Sequence, residues 1–169
     1  MPAVAHHLKR LTATDIDRLL ELDRACLGGF WSRQGFEDEF RRPPRDPARP
    51  DFPSSIFLGA CASNGSDLLM GFAGLWALGA EAHVITLGVH PDYRRQGMGR
   101  ALVEALLQEA ILQGLEWATL EVRASNVAAR QLYQSLGFTQ LGERLHYYTN
   151  PIEDALVLWK RLQPAATLD

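Results

Sequence analysis

The sequence predicts a mixed α/β fold, with one sheet built around a central strand–helix–strand unit. Three observations carry this. An apolar, β-branched run at 83–89 leads through a proline turn at Pro91 into a glycine-punctuated loop, Arg94-Arg95-Gln96-Gly97-Met98-Gly99. A long amphipathic run follows, with Met98, Ala101, Leu102, Ala105, Leu106, Glu109 and Ala110 mostly on one stripe at helical spacing. Gly114 closes that helix, and the alternating stretch 118–122 reads as the next strand.

The other elements follow in order. Residues 7–11 read as a short first strand. Thr14 is the expected cap of a first helix, with Asp17 three residues on and Ile16, Leu19, Leu20 and Leu22 as apolar positions. Gly28-Gly29 ends it, and Ser32 caps a second helix carrying Phe36 and Phe40. Strands at 56–62 and 69–76 flank the turn cluster Asn64-Gly65-Ser66-Asp67. After the strand at 118–122 come a short helix at 128–136, stopped by Gly137, and final strands at 139–145 and 155–159. The predicted order is β-α-α-β-β-β-α-β-α-β-β, in one domain spanning 1–169. Two segments within it carry no predicted element: a proline-rich loop at 41–53 and a flexible tail at 163–169. Five prolines within 41–53 forbid helix or central strand, which leaves a solvated linker, a lid or a partner contact.

Composition narrows the function. A chain of 169 residues, 47% hydrophobic and 22% charged, can bury one sizeable core. A net charge of −3 gives no basic balance for nucleic acid. No apolar run approaches the roughly 20 residues that span a bilayer, and the first residues lack a signal-peptide pattern. The two cysteines, Cys26 and Cys61, sit in apolar contexts and are expected to be reduced and buried. This is a cytoplasmic profile.

The loop before the long helix is the first candidate site. Bare backbone N–H groups and the positive end of the helix dipole converge there, a natural place for an anion. It is not a Walker loop, which needs Gly-Lys-Ser/Thr, and it lacks the third glycine of a dinucleotide fingerprint. A tight turn with no ligand is the plain alternative. The second candidate site starts at Glu121, an acid in an apolar strand, which is costly unless solvated, paired or used. Desolvation is expected to raise its pKa toward that of a useful base. A surface-facing glutamate, a core tyrosine at Tyr133 and a helix N-cap at Asn126 are the structural alternatives. Phe30 and Trp31 read either as core packing or as one wall of a cleft.

The loop resembles the pyrophosphate loop of the Gcn5-related N-acetyltransferases. Leu120-Glu121-Val122-Arg123 with Ser125-Asn126, then Ala129, Leu132-Tyr133 and Leu136-Gly137-Phe138, and the pair Tyr147-Tyr148, look like the RimI-type ribosomal-protein alanine N-acetyltransferases. The resemblance covers about 83–159 and is weaker upstream, where Phe30-Trp31-Ser32 looks like a Pro-Trp-Ser segment. The 41–53 insertion departs from the family pattern.

The resemblance implies the Gcn5-related fold and acetyl-coenzyme A as co-substrate, with no metal. It makes Glu121 the general base and Tyr133 the general acid. Leu87, Gly88 and Val89 would hold the pantetheine arm and the acetyl carbonyl. Arg95, Gln96, Gly97, Met98, Gly99 and Arg100 would cradle the pyrophosphate, and Asn126 would lie near the pantetheine end. Tyr147 and Tyr148, with Phe30 and Trp31, would face the substrate. The implied partner is a ribosomal protein N-terminus starting with alanine and arginine, met by a monomer or weak dimer, with no nucleic acid and no membrane. A basic second residue makes Glu37, Asp38, Glu39, Glu153 and Asp154 candidates for an acidic approach. A small-molecule amine or lysine acetyltransferase, or a non-catalytic acyl-coenzyme A sensor, are the alternatives.

Overall fold

A computed structural model describes residues 3–163. The tail expected at 163–169 lies, Gln163 apart, outside the described residues. The strands are β1 (His6–Arg10), β2 (Ser55–Ala62), β3 (Leu69–Leu78), β4 (Glu81–Val89), β5 (Trp117–Arg123), β6 (Thr139–Thr149) and β7 (Ile152–Arg161). The helices are α1 (Ile16–Leu27), α2 (Arg33–Phe40), α3 (Met98–Leu112) and α4 (Val127–Ser135). Element order is therefore the predicted one. The strands form one seven-stranded sheet in the order β1-β2-β3-β4-β5-β7-β6.

The β4–β5 pair is parallel and every other pair is antiparallel. A parallel pair needs a crossover, and α3 provides it. Both faces of the middle of the sheet are covered, which is why β2 and β3 are buried almost end to end and read as near-continuous apolar runs. One core joins Leu102, Val103 and Leu106 of α3 to Ile56, Met70, Leu75 and Leu120. The other joins Leu19, Leu22 and Phe36 of α1 and α2 to Phe57 and Phe72. Burial of such large side chains contributes about 1.5–3 kcal/mol each.

Several local readings change. The first helix is preceded by a 3-10 turn at Ala13–Asp15, and Thr12, not Thr14, caps it. The Thr12 N–H donates to the Asp15 carboxylate at 2.9 Å. An acid three residues after the cap is the signature in both readings; two threonines either side of Ala13 made the frame ambiguous. Strands β6 and β7 are longer than the expected 139–145 and 155–159. The stretch 41–53 is ordered by its own contacts. Pro44 bridges Pro53, and Arg45 donates to the Gly79 carbonyl at 2.6 Å and the Gln113 carbonyl at 3.1 Å. Cys61 is buried as expected, but Cys26 is only half-buried, beside Gly88.

Candidate active site

The site exists because β4 and β5 part company. Their ladder runs only from Glu81↔Trp117 through His83↔Thr119. Opposite β3, the register jumps from Thr86 to Val84, a bulge that bends β4. Beyond it, β5 offers no ladder partner to residues 84–89, so backbone groups along that edge are open to a ligand. A cavity of about 310 Å³ fills the fork, lined among others by Thr86, Leu87, Leu120, Glu121, Asn126, Tyr133 and Tyr148.

A second groove, about 570 Å³, begins where this cavity ends, and Leu27, Leu87, Asn126 and Ala129 wall both. It runs past Gly88, Val89, Arg94, Arg95, Gly97, Met98, Gly99 and Arg100 to the start of α3. Arg95 and Gly97 both have left-handed backbones, at φ 63° and 80°. The chain thereby folds back so that the free N–H groups of α3 face the groove. Gly88 is needed for another reason: a Cβ there would meet Phe72 at 2.9 Å and Cys26 at 3.1 Å. Open strand-edge groups at one end and a helix N-terminus flanked by arginines at the other fit an acyl thioester on a phosphorylated arm. Gln96 does not line this groove: its side-chain oxygen accepts the Val4 N–H at 2.9 Å. Asn126 caps α4, accepting from the Ala129 N–H at 3.1 Å, while also lining both cavities.

Glu121 faces the fork. Its Oε2 lies 2.6 Å from Nε2 of His83 and its Oε1 lies 3.4 Å from Nε of Arg144 on β6. The hydrogen bond to His83 outweighs burial and, with help from Arg144, holds the carboxyl below its ordinary value. The expected rise by desolvation is therefore corrected: the partner wins because burial alone would leave a bare charge, and this charge is paired. A carboxylate can only accept, so Nε2 carries the proton. His83 was legible only as part of a strand. Strict alternation would group it with Ile85, Leu87 and Val89, but the bulge turns Leu87 and Val89 to the α3 side of the sheet, so no local signal marked it.

Tyr133 of α4 is buried, and burial raises its pKa well above the usual phenol range. Among the described residues its hydroxyl has no hydrogen-bond partner, and the residue lines the fork across from β4 and β5. It thus stays protonated at neutral pH with its proton uncommitted.

The four aromatic residues expected at the substrate side separate. Phe30 lines the fork and is 76% exposed. Trp31 turns into the core, stacked on Phe36 at 5.0 Å, and its indole N–H donates to Thr86 at 3.3 Å. Tyr148 lines the fork beneath the Arg123 guanidinium, its pKa pushed up to about 12 chiefly by burial. Tyr147 packs edge-on against Tyr148 and is more exposed.

The acids expected to form an approach are engaged elsewhere. Glu153 accepts from the Ser125 N–H at 2.7 Å and pairs with Arg123 at 3.2 Å. Asp154 accepts the His146 N–H at 2.8 Å. Glu37 pairs with Arg41, Asp38 accepts from Gln34, and Glu39 is buried. Away from the fork, His7, Cys61 and Asp67 cluster within 4.8 Å of one another, but Asp67 is already bound by Arg18 and Lys9.

Comparison with known proteins places this geometry. The model of the acetyltransferase (GNAT) family matches residues 16–138. Over 80 residues the chain is 49% identical to the [ribosomal protein bS18]-alanine N-acetyltransferase of Escherichia coli K12, covering 46% of this chain and 54% of that protein. In that match the chain spans about half the length of its relative. It is 35% identical over 154 residues to the N-alpha-acetyltransferase RimI of Mycobacterium tuberculosis, covering 88% of this chain and 87% of that one. The crystal structure of the E. coli ribosomal-protein-S18-alanine N-acetyltransferase superposes with a TM-score of 0.79 at 30% identity, over 98% of this chain and 99% of that one. A forked β4–β5 edge, a glycine loop at the head of α3 and a match over most of the chain lead to one conclusion: the chain belongs to the acetyltransferase (GNAT) family.

Proposed function

We propose that the protein transfers an acetyl group from acetyl-coenzyme A to the α-amine of a protein N-terminus, by direct attack in a ternary complex. The favoured substrate is the N-terminal alanine of ribosomal protein bS18, which puts the activity in the cytoplasm. One observation carries the reading: the paired carboxylate of Glu121 and the uncommitted hydroxyl of Tyr133 line one cavity, and that cavity is continuous with the groove at the head of α3. The names of the relatives support the α-amine and the ribosomal substrate.

Acetyl-coenzyme A held in the groove would supply an activated thioester. Leu87, Gly88 and Val89 on the open edge of β4 would orient it through their backbones, and Arg95 with Gly97, Met98, Gly99 and Arg100 would hold the phosphate end. An N-terminal ammonium has a pKa of about 8 and must lose a proton before attack. Glu121 accepts that proton, directly or through water, with His83 as its hydrogen-bond donor. The amine nitrogen then bonds to the acetyl carbon as the carbon–sulfur bond breaks. Tyr133 gives its proton to the departing sulfur, and the second proton, shed by the nitrogen as it becomes an amide, restores the Tyr133 hydroxyl. The chemistry asks mainly for orientation and for donors at the carbonyl oxygen, which a rigid strand edge provides.

A thiol-release assay on four substrates tests this: Ala-Arg, Ala-Glu and Leu-Arg peptides, and spermidine. Preference for alanine-starting peptides is expected. Preference for spermidine, or indifference between Ala-Arg and Leu-Arg, contradicts the ribosomal assignment.

A further inference from the structure

A buried acid outside the fork has no part in the chemistry above. Glu39, in the last turn of α2, is 7% exposed. A buried carboxylate is costly unless it is fully met. Here one oxygen, Oε2, accepts from the Ser55 hydroxyl at 2.7 Å and the Trp76 indole N–H at 2.7 Å, and pairs with Nε of Arg42 at 3.0 Å. The Arg42 guanidinium also lies 4.6 Å over the Trp76 ring. The indole is therefore held both at its N–H and on its face.

Trp76 and His83 are cross-strand partners in the β3–β4 ladder. Their rings meet edge to face, 6.1 Å apart at 81°. From His83 the next contact is Glu121. The contacts thus run unbroken from α2 through β3 and β4 to the carboxylate on β5. The far end is itself tied down, because Arg42 lies near the start of the 41–53 segment that Arg45 fastens to the Gly79 and Gln113 carbonyls.

We propose that Glu39 and Trp76 are positioning residues: Glu39 fixes the indole, and the indole fixes the His83 ring so that its Nε2–H stays on Glu121. The catalytic meaning of this rests on the function proposed above; the positioning itself does not. An imidazole with two free torsions has other resting places, and the ring wall of Trp76 removes them. The other groups that face Glu121 are Arg144 and Tyr148 from β6 and Tyr133 from α4, with Arg123 on its own strand. Arg144 is 58% exposed on its side chain and its charge is correspondingly screened, so His83 is the main hold on the carboxylate.

The test uses Trp76→Phe, which keeps a ring and deletes the N–H, and Glu39→Gln, which keeps the shape and deletes the charge. Each is made in the full chain. The first readout needs no substrate: the hydrogen-bonded His83 Nε–H proton signal in the NMR spectrum. It is expected in the wild type and lost or broadened in both variants. The second readout is the pH profile of kcat/KM. Its break below about pH 5, which is set by Glu121 and is separate from the rise that reports the substrate amine, should move up by about half a pH unit or more as Glu121 loses its donor. The rate should fall about tenfold, short of the roughly hundredfold cost of a 1 Å misplacement. Affinity for coenzyme A should hold. Should Glu39→Gln fail to fold, Trp76→Phe carries the same test. A His83 signal unchanged in a folded variant, or absent from the wild type, overturns the proposal whatever the activity. A lowered melting temperature with an unshifted pH profile also overturns it, since that is the mark of packing alone. Loss of peptide acetylation by the wild type, with the His83 response intact, counts against the proposed function and not against the positioning.

Discussion

Nε2 of His83 lies 2.6 Å from Oε2 of Glu121, across the one parallel pair of strands in the sheet. His83 is the last β4 residue in that ladder, paired with Thr119. Glu121 is two residues further along β5, on the same face and just past the point where the strands separate. The bond therefore sits at the crotch of the fork. It is near enough to the ladder to be rigid and far enough along to face the cavity.

Glu121→Gln should lower kcat by roughly 10²–10⁴, the usual worth of a general base, while affinity for acetyl-coenzyme A stays nearly unchanged. The groove at the head of α3 does not include Glu121. Turnover at neutral pH and calorimetric cofactor binding check this together. Unchanged turnover would make Glu121 structural.

The pH dependence has a definite sign. Because the Glu121 carboxyl is held below its ordinary value of 4.5, the group stays ionised across the neutral range. The rise of kcat/KM above neutrality should then report the substrate amine, with no Glu121 break between about pH 5 and 7. A depressed carboxyl stabilises the fold above its unfolded pKa, and this contribution is lost as pH falls through the lower folded value. Melting temperature against pH should show the wild type losing more than Glu121→Gln below about pH 4.5.

Tyr133→Phe should reduce kcat and change the alkaline limb while leaving the fold nearly as stable. The hydroxyl makes no hydrogen bond to the described residues, so its loss should cost less than the roughly 1 kcal/mol of a protein hydrogen bond. Thermal melts beside kinetics decide. A clear drop in stability with catalysis kept would make Tyr133 a packing residue.

Two glycines should fail differently. Gly97→Ala puts a side chain at φ 80° in open space, so it should strain the loop by about 1–2 kcal/mol and weaken coenzyme A binding. Gly88→Ala drives a Cβ into Phe72 and Cys26 and should destabilise the fold by about 1–3 kcal/mol. Binding to coenzyme A and to its pyrophosphate-truncated analogue separates loop from core: only Gly97→Ala should spare the analogue.

Substrate choice should depend on the first residue more than on charge. The acids that would have steered a basic peptide are engaged with Ser125, Arg123, His146, Arg41, Gln34 and Trp76. Rates with Ala-Arg and Ala-Glu peptides should therefore converge, with weak salt dependence, while Leu-Arg lags. A steep fall with salt for Ala-Arg alone would restore electrostatic steering.

The fold was legible because its signals are local. An apolar, β-branched run marked β4, alternation marked β5, glycines marked the ends of α1, α3 and α4, and the stripe on α3 fixed the crossover. The groove at the head of α3 was equally legible, since strand, turn and helix start are contiguous at 83–100. What was not legible depends on distant chain. Glu121 meets His83 only through the register of a parallel pair 38 residues apart in sequence. Glu39 looked like one of three surface acids, and only the closure of β2 and β3 over it makes it buried. Trp31 is adjacent to Phe30, yet the turn sends one ring to the core and the other to the fork.

The central claim is transfer to an α-amine, and one measurement meets it most directly. A peptide beginning with alanine and carrying one internal lysine is incubated with the protein and acetyl-coenzyme A, and fragmentation mass spectrometry locates the added acetyl group. The account predicts acetylation of the N-terminal alanine with the lysine unmodified, abolished or greatly slowed in Glu121→Gln. Acetylation of the lysine, or equal N-terminal acetylation by Glu121→Gln, would contradict it.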